Sequence, residues 1–322
     1  MKLGISLTTK IPVKFIKNSN LVEIKKFTED EITHTLKTIR TGEPKSVSFH
    51  LQYLENGKYI LPSVDDFSSH IEYFSKAATQ LNPIMISFHF GLSSKSVVID
   101  ENTFVAVANG QLLSQHEIIK NIERNLTTLK QNFPGIGVLL ENLEYIPEYI
   151  SKGAYSYIQE ANFFGENVVK WHKMGMVDGM VLDISHAIIA SANHPFYNGY
   201  MKANEEQIDI RKLEDVKSSG YSEYLKSIDE NRALESFKNY LSRLPHELIK
   251  EIHISGFGRL DDGTYVDAHL IPGKVEKLAL VHTLNAIAES SEILPPIVLE
   301  YSREPERIPE ILEDLKKLLD SL

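Results

Sequence analysis

The sequence predicts an α/β protein, a single (β/α)8 TIM barrel, and three observations predict it. Short β-rich apolar runs recur eight times between segments of helical period. Most of these runs are continuous rather than alternating, as parallel strands require when helices cover one face and packed side chains the other. The length of 322 residues is ordinary for one such barrel.

The predicted strands are Leu3–Ser6, Leu21–Phe27, Ser46–Leu51, Pro83–Phe90, Gly135–Leu143, Gly179–His186, Glu251–Gly256 and Pro296–Ser302. Helices start at recognisable signals. Thr28 to Glu31 and Ser114 to Glu117 both fit the capping box, in which a hydroxyl and the carboxylate three residues on satisfy each other's backbone N–H groups. From about Glu306 to Leu322, residues Ile308, Ile311, Leu312, Leu315, Leu318 and Leu319 share one face, which predicts the last barrel helix. The connection from Ala187 to Lys250 is longer than one crossover helix needs and carries the aromatic run His194 to Tyr200, so a lid or insertion is expected at 187–250. With no repeat, low-complexity tract or linker-like charge block, residues 1–322 read as one domain.

Composition narrows the chemistry. There is no cysteine, so disulfides and thiolate metal sites are excluded and any metal must be held by His, Asp, Glu or Asn. A net charge of −10 opposes non-specific attraction to nucleic acid. Neither a spanning apolar stretch nor a leader pattern is visible, so a cytoplasmic protein without membrane attachment is expected.

Catalytic groups of such barrels lie at the C-terminal ends of the strands, where the loops form an open mouth. The third predicted strand ends at His50, the fourth at His89, the fifth at Glu141 and Asn142, and the sixth at Asp183 with His186. The seventh carries His253, the extended loop after it Asp267 and His269, and the eighth ends at Glu300. Five of the twelve histidines thus fall at the mouth beside four carboxylates whose apolar flanks leave them without a partner, and charges so placed need compensation. Imidazole and carboxylate together suit zinc, ferrous iron or manganese, and Glu141 has the two oxygens needed to bridge two ions. Secondary candidates are His194, as a proton donor reaching from the insertion, and Arg303, as a clamp for an anionic substrate group. Gly256 to Arg259 reads as a tight turn, and Lys95, Arg259, Lys274 and Arg303 are the cations expected near the mouth.

The ordered set His50, His89, Glu141, Asp183 with His186, His253, Asp267 with His269, and Glu300 resembles the ligand set of the endonuclease IV branch of xylose isomerase-like barrels. LDISHA, from Leu182 to Ala187, is similar to that branch's D-x-x-H-A strand end. Glu141-Asn142 followed by Tyr145, and EIHISG followed by YVDAH, look like the signatures of the multinuclear non-heme iron-dependent oxidative enzymes, which modify residues of small peptides. The resemblance implies those nine residues as ligands of two or three ions, Asn142 as an extra ligand, Glu141 as a catalytic group, and a small peptide or small molecule as substrate. It leaves open an iron-dependent oxidase, a zinc or manganese phosphodiesterase, a sugar isomerase or epimerase, and an added partner protein.

Overall fold

The computed structural model describes residues 2–17, 19–41, 45–99, 106–146, 153–154, 161–203 and 220–322. Eight parallel strands close into a barrel: β1 (Leu3–Leu7), β2 (Leu21–Ile24), β3 (Ser46–His50), β4 (Met85–His89), β7 (Gly137–Glu141), β8 (Gly179–Asp183), β9 (Ile249–Ile254) and β12 (Ile297–Leu299). β1 pairs with β2 on one side and β12 on the other, which joins the first and last strands of the chain. The fold class read from the sequence is the one observed.

Among the described residues, four further strands lie outside the barrel wall as two antiparallel pairs, β5 (Val97–Ile99) with β6 (Ala106–Ala108), and β10 (Gly256–Arg259) with β11 (Tyr265–Leu270). The second pair corrects two expectations. Gly256 to Arg259 is a strand instead of a tight turn, and Asp267 and His269 sit on its partner strand instead of in a loop. Gly256 is required there, because a Cβ would lie 2.5 Å from the Ile271 carbonyl oxygen.

The helices follow their sequence signals with one change. α1 (Glu29–Ile39) is capped by Thr28, whose Oγ1 accepts from the Glu31 N–H. Only half of that capping box forms, since the Glu31 carboxylate turns away to accept from Thr9. α2 (Ile71–Leu81) precedes β4, and α3 (Gln115–Asn132) carries the complete box on Ser114 and Glu117. α4 (Ala161–Lys173) precedes β8. The last helix, α10 (Ile308–Asp320), buries Ile308, Ile311, Leu312 and Leu315 as its spacing predicts.

Between β8 and β9 the chain runs first through α5 (Ile184–Asn193), a helix whose every residue is buried. It continues through α6 (Tyr200–Ala203) and α7 (Tyr221–Lys226) and ends with α8 (Glu230–Leu241), which packs against α5 and α9 (Lys274–Ala288). Residues 204–219 lie outside the described residues. Tyr197 and Tyr200 of the aromatic run are buried among Tyr221, Tyr224 and Tyr240. Among the described residues, none from 187 to 250 lines the cavity at the barrel mouth.

Candidate metal centre

Strand register assembles the site. His50 of β3 lies beside Ser87 of β4, His89 of β4 beside Glu141 of β7, and Asp183 of β8 beside His253 of β9. Side chains that point inward at these C-terminal ends converge at one end of the barrel. His50, His89, Glu141, Asp183, His186, His253, Asp267 and Glu300 are all buried there, and His269 is partly so. Above them lies a cavity of about 320 Å³ walled in part by His89, His186, Asp267, His269 and Glu300.

Glu141 is the hub. Its Oε2 lies 3.1 Å from His50 Nδ1 and 3.4 Å from His253 Nδ1, and its Oε1 lies 3.7 Å from His89 Nε2 and 3.5 Å from His186 Nδ1. Two groups of donor atoms near enough to share an ion both contain it: His50, His89 and Glu141, and Glu141, Asp183 and His253.

The protein holds one nitrogen of each of four imidazoles by a hydrogen bond: Nδ1 of His50, His89 and His186, and Nε2 of His253. Ser87 donates its hydroxyl to the Phe49 carbonyl, so its oxygen accepts from His50 Nδ1 at 3.0 Å and leaves the Nε2 lone pair for a ligand. His89 Nδ1 is bonded to the Tyr59 hydroxyl at 2.9 Å, and His186 Nδ1 donates to the Asn142 carbonyl at 2.9 Å. His253 is reversed: its Nε2 lies 2.9 Å from both Glu23 and Glu251, and its Nδ1 faces Glu141 and Glu300. Ligating histidines are held in this way by carboxylates, carbonyls and hydroxyls on the far nitrogen. Among the described residues, His50 Nε2, Glu141 Oε2, Asp183 Oδ2 and His253 Nδ1 are buried without an aligned hydrogen-bond partner. Buried polar atoms are rarely left so, and a hard or borderline divalent cation is the partner that this nitrogen and oxygen set fits.

A third group stands nearer the mouth. His186 Nε2 is 3.7 Å from Asp267 Oδ2, which is 2.8 Å from His269 Nε2. Asp267 and His269 are two residues apart on β11 and so share a face. His269 has φ of 43°, a left-handed conformation that costs a non-glycine residue about 1–3 kcal/mol and collects at functional sites.

Asp183 serves two structures at once. Its Oδ1 caps α5 by accepting from the His186 N–H at 2.7 Å, while its Oδ2 is left for the site. The D-x-x-H spacing is therefore an N-cap and a donor pair in one. Asn142 braces this junction, its side chain donating to the Asp183 carbonyl and accepting from the Asp183 N–H. Both ends of its amide are thus engaged with backbone rather than turned to the donors.

His194 is packed between Tyr145 and Tyr197, with Nδ1 accepting from the Phe196 N–H, and it is not brought to the cavity wall. Arg303 does line the cavity, with its guanidinium donating to the Ala268 carbonyl. Arg259 instead donates to the Leu225 carbonyl and stacks on Tyr265, and neither it nor Lys95 nor Lys274 lines the cavity. Among the described residues, the cations found there beside Arg303 are Lys10, Lys25 and Lys26.

Sequence reasoning missed Glu23, Lys25, Glu251, Glu144 and Tyr59. Alternation was the available signal for the first three. Glu23 and Lys25 interrupt an apolar strand two residues apart, and Glu251 stands two before His253, so each pair points inward. Lys25 forms an ion pair with Glu300.

The charges compensate one another. Burial alone would raise Glu141, but His253, His50 and His89 outweigh it and hold the carboxyl well below its usual range. Burial lowers His50, and lowers His89 to about 4. It also raises Asp183 and Glu251, each to about 7. His253 and His186 are raised against the effect of burial, the first chiefly by Glu23 and Glu141, the second by Asp183 and Glu144. His269 is raised likewise to about 10 by Asp267.

No family model matches the chain and no curated protein does. Solved structures do match. Endonuclease IV from Thermus thermophilus is 13% identical with a TM-score of 0.53, covering 100% of both chains. The IolI protein with a binding zinc atom is 16% identical with a TM-score of 0.52, covering 100% of this chain and 97% of the other. The chain therefore shares the TIM-barrel fold of these two proteins.

Proposed function

We propose that this protein is a metal-dependent enzyme with two or three ions at the barrel mouth, and that it is an iron-dependent oxidative enzyme acting on a small peptide. The observation that carries the reading is Glu141, buried and shared by two donor groups whose remaining nitrogens are fixed from behind. Loaded with iron, such a site supplies one-electron oxidation chemistry with dioxygen as oxidant. Glu141 sets the spacing of the two groups, the far-side partners of the histidines aim the donor nitrogens, and burial excludes water beneath the mouth. A peptide of modest size suits an open cavity of about 320 Å³ with Arg303, Lys10 and Lys26 along its wall. The reading also takes the protein to be cytoplasmic; among the described residues no helix is long and apolar enough to cross a membrane. Iron in protein purified without added metal, with iron-dependent oxygen uptake on addition of candidate peptides, is the expected result. A zinc-only protein without such uptake overturns it.

A second reading is a zinc or manganese phosphodiesterase. It is favoured by the third donor group of His186, Asp267 and His269, which extends the donors toward the cavity cations that suit a phosphate. Cleavage of abasic-site DNA or a simple phosphodiester with zinc or manganese present tests it, and no cleavage rejects it. A sugar isomerase or epimerase ranks last, since it uses fewer ligands than the site offers.

A further inference from the structure

We infer that Lys25 is a positioning residue that withdraws Glu300 from the metal cluster, so that the group of Glu141, Asp183 and His253 binds its ion with three protein donors and one open position for substrate. The inference rests on the metal-site reading above and names a property of the same site. Lys25 follows β2 and, two residues beyond Glu23, points into the barrel toward Glu300.

The contrast among the donors carries the argument. Glu141 Oε2, Asp183 Oδ2 and His253 Nδ1 are buried and without an aligned partner, whereas neither oxygen of Glu300 is. Glu300 Oε1 accepts from the Lys25 ammonium, and Oε2 lies 3.3 Å from His269 Nε2. Position alone would make Glu300 a donor to the same ion, since its Oε1 is 3.1 Å from His253 Nδ1. The ammonium is the difference. Its side chain is only 14% exposed and that of Glu300 3%, so the pair is shielded from the screening that weakens surface ion pairs. Three protein donors with a free position distinguish catalytic from structural sites, where a fourth ligand closes the sphere. Lys25 keeps the fourth ligand beside the ion but engaged.

Cobalt(II) spectroscopy on the full-length protein tests this, because the visible bands of cobalt report coordination number and do not depend on turnover. Metal-stripped wild type is titrated with cobalt(II) beside Lys25→Met, Lys25→Arg, Glu300→Gln and the double variant Lys25→Met with Glu300→Gln. The expected result is that Lys25→Met shifts the bands toward higher coordination and tightens binding, as an added carboxylate ligand does. Lys25→Arg and Glu300→Gln keep the wild-type spectrum, and the double variant returns to it. The inference is overturned if Glu300→Gln alone alters the wild-type spectrum, if Lys25→Met leaves it unchanged, or if the double variant keeps the Lys25→Met spectrum. A folded wild type that binds no cobalt rejects the metal site itself, a separate outcome. Lys25→Arg keeps the ion pair and controls for misfolding of Lys25→Met, checked by circular dichroism.

Discussion

The residues that define this site differ in which atom the protein leaves available. His50, His89 and His186 are held at Nδ1 and His253 at Nε2, and the choice follows from which neighbour the register supplies. Ser87→Ala removes the hydroxyl behind His50 and is expected to weaken metal binding by about 10- to 100-fold with little change in melting temperature, measured by calorimetric titration. The pH dependence has a definite sign. An ion binds neutral imidazole, and His269 keeps its proton up to about 10 because Asp267 outweighs the lowering effect of burial. Below that pH the ion must displace a proton, so metal affinity rises with pH, by about tenfold per pH unit for each proton displaced. Affinity that is flat between about pH 6 and about pH 9 contradicts this assignment. The donors at the strand ends were legible because a His or carboxylate closing an apolar run is conspicuous. Glu23, Lys25 and Glu251 were not, because a charged residue one or two places inside a short strand reads as a break in the apolar pattern until the barrel shows that its face is the interior.

At the level of elements, the junction of β8 and α5 does two jobs with one carboxylate. Asp183→Asn keeps an oxygen to cap α5 but removes the anionic donor, so it is expected to lose metal while the metal-free protein melts close to wild type. Asp183→Ala loses both, and the missing cap costs about 0.5–2 kcal/mol. Differential scanning calorimetry on metal-stripped protein separates the two, and equal destabilisation by both variants would show that the cap is not made. Capping was partly legible. Ser114 and Glu117 form the full box, but Glu31 is drawn away to Thr9, a residue close only in the folded chain. The hairpin of β10 and β11 escaped notice because Phe257 to Tyr265 carries turn-forming glycines and aspartates that mask two short strands. The buried helix α5 lay within a connection whose length suggested a lid, yet its sequence from Ile184 to Asn193 is apolar enough to be covered on every side.

In the whole molecule, closure of the sheet fixes the site. The barrel seam between β1 and β12 carries Glu300 toward Lys25 at the end of β2, so the last strand meets the second across the first. The net charge of −10 is borne by a body whose cavity cations include Lys10, Lys26 and Arg303. Attraction is thus expected for a small anionic group at the mouth and not for a long polyanion. Retention of random duplex DNA at about 0.15 M salt is expected to be undetectable by fluorescence anisotropy, and micromolar binding there would contradict the charge argument.

Everything proposed for this barrel depends on a cluster of ions organised by Glu141. The decisive quantity is the metal content of protein purified without added metal, measured by inductively coupled plasma mass spectrometry for wild type and Glu141→Gln. We expect at least two ions per wild-type chain and a loss of more than one in the variant, with the fold retained by circular dichroism. Equal metal content in the two proteins, or a folded wild type that neither carries nor takes up metal, would contradict such a cluster.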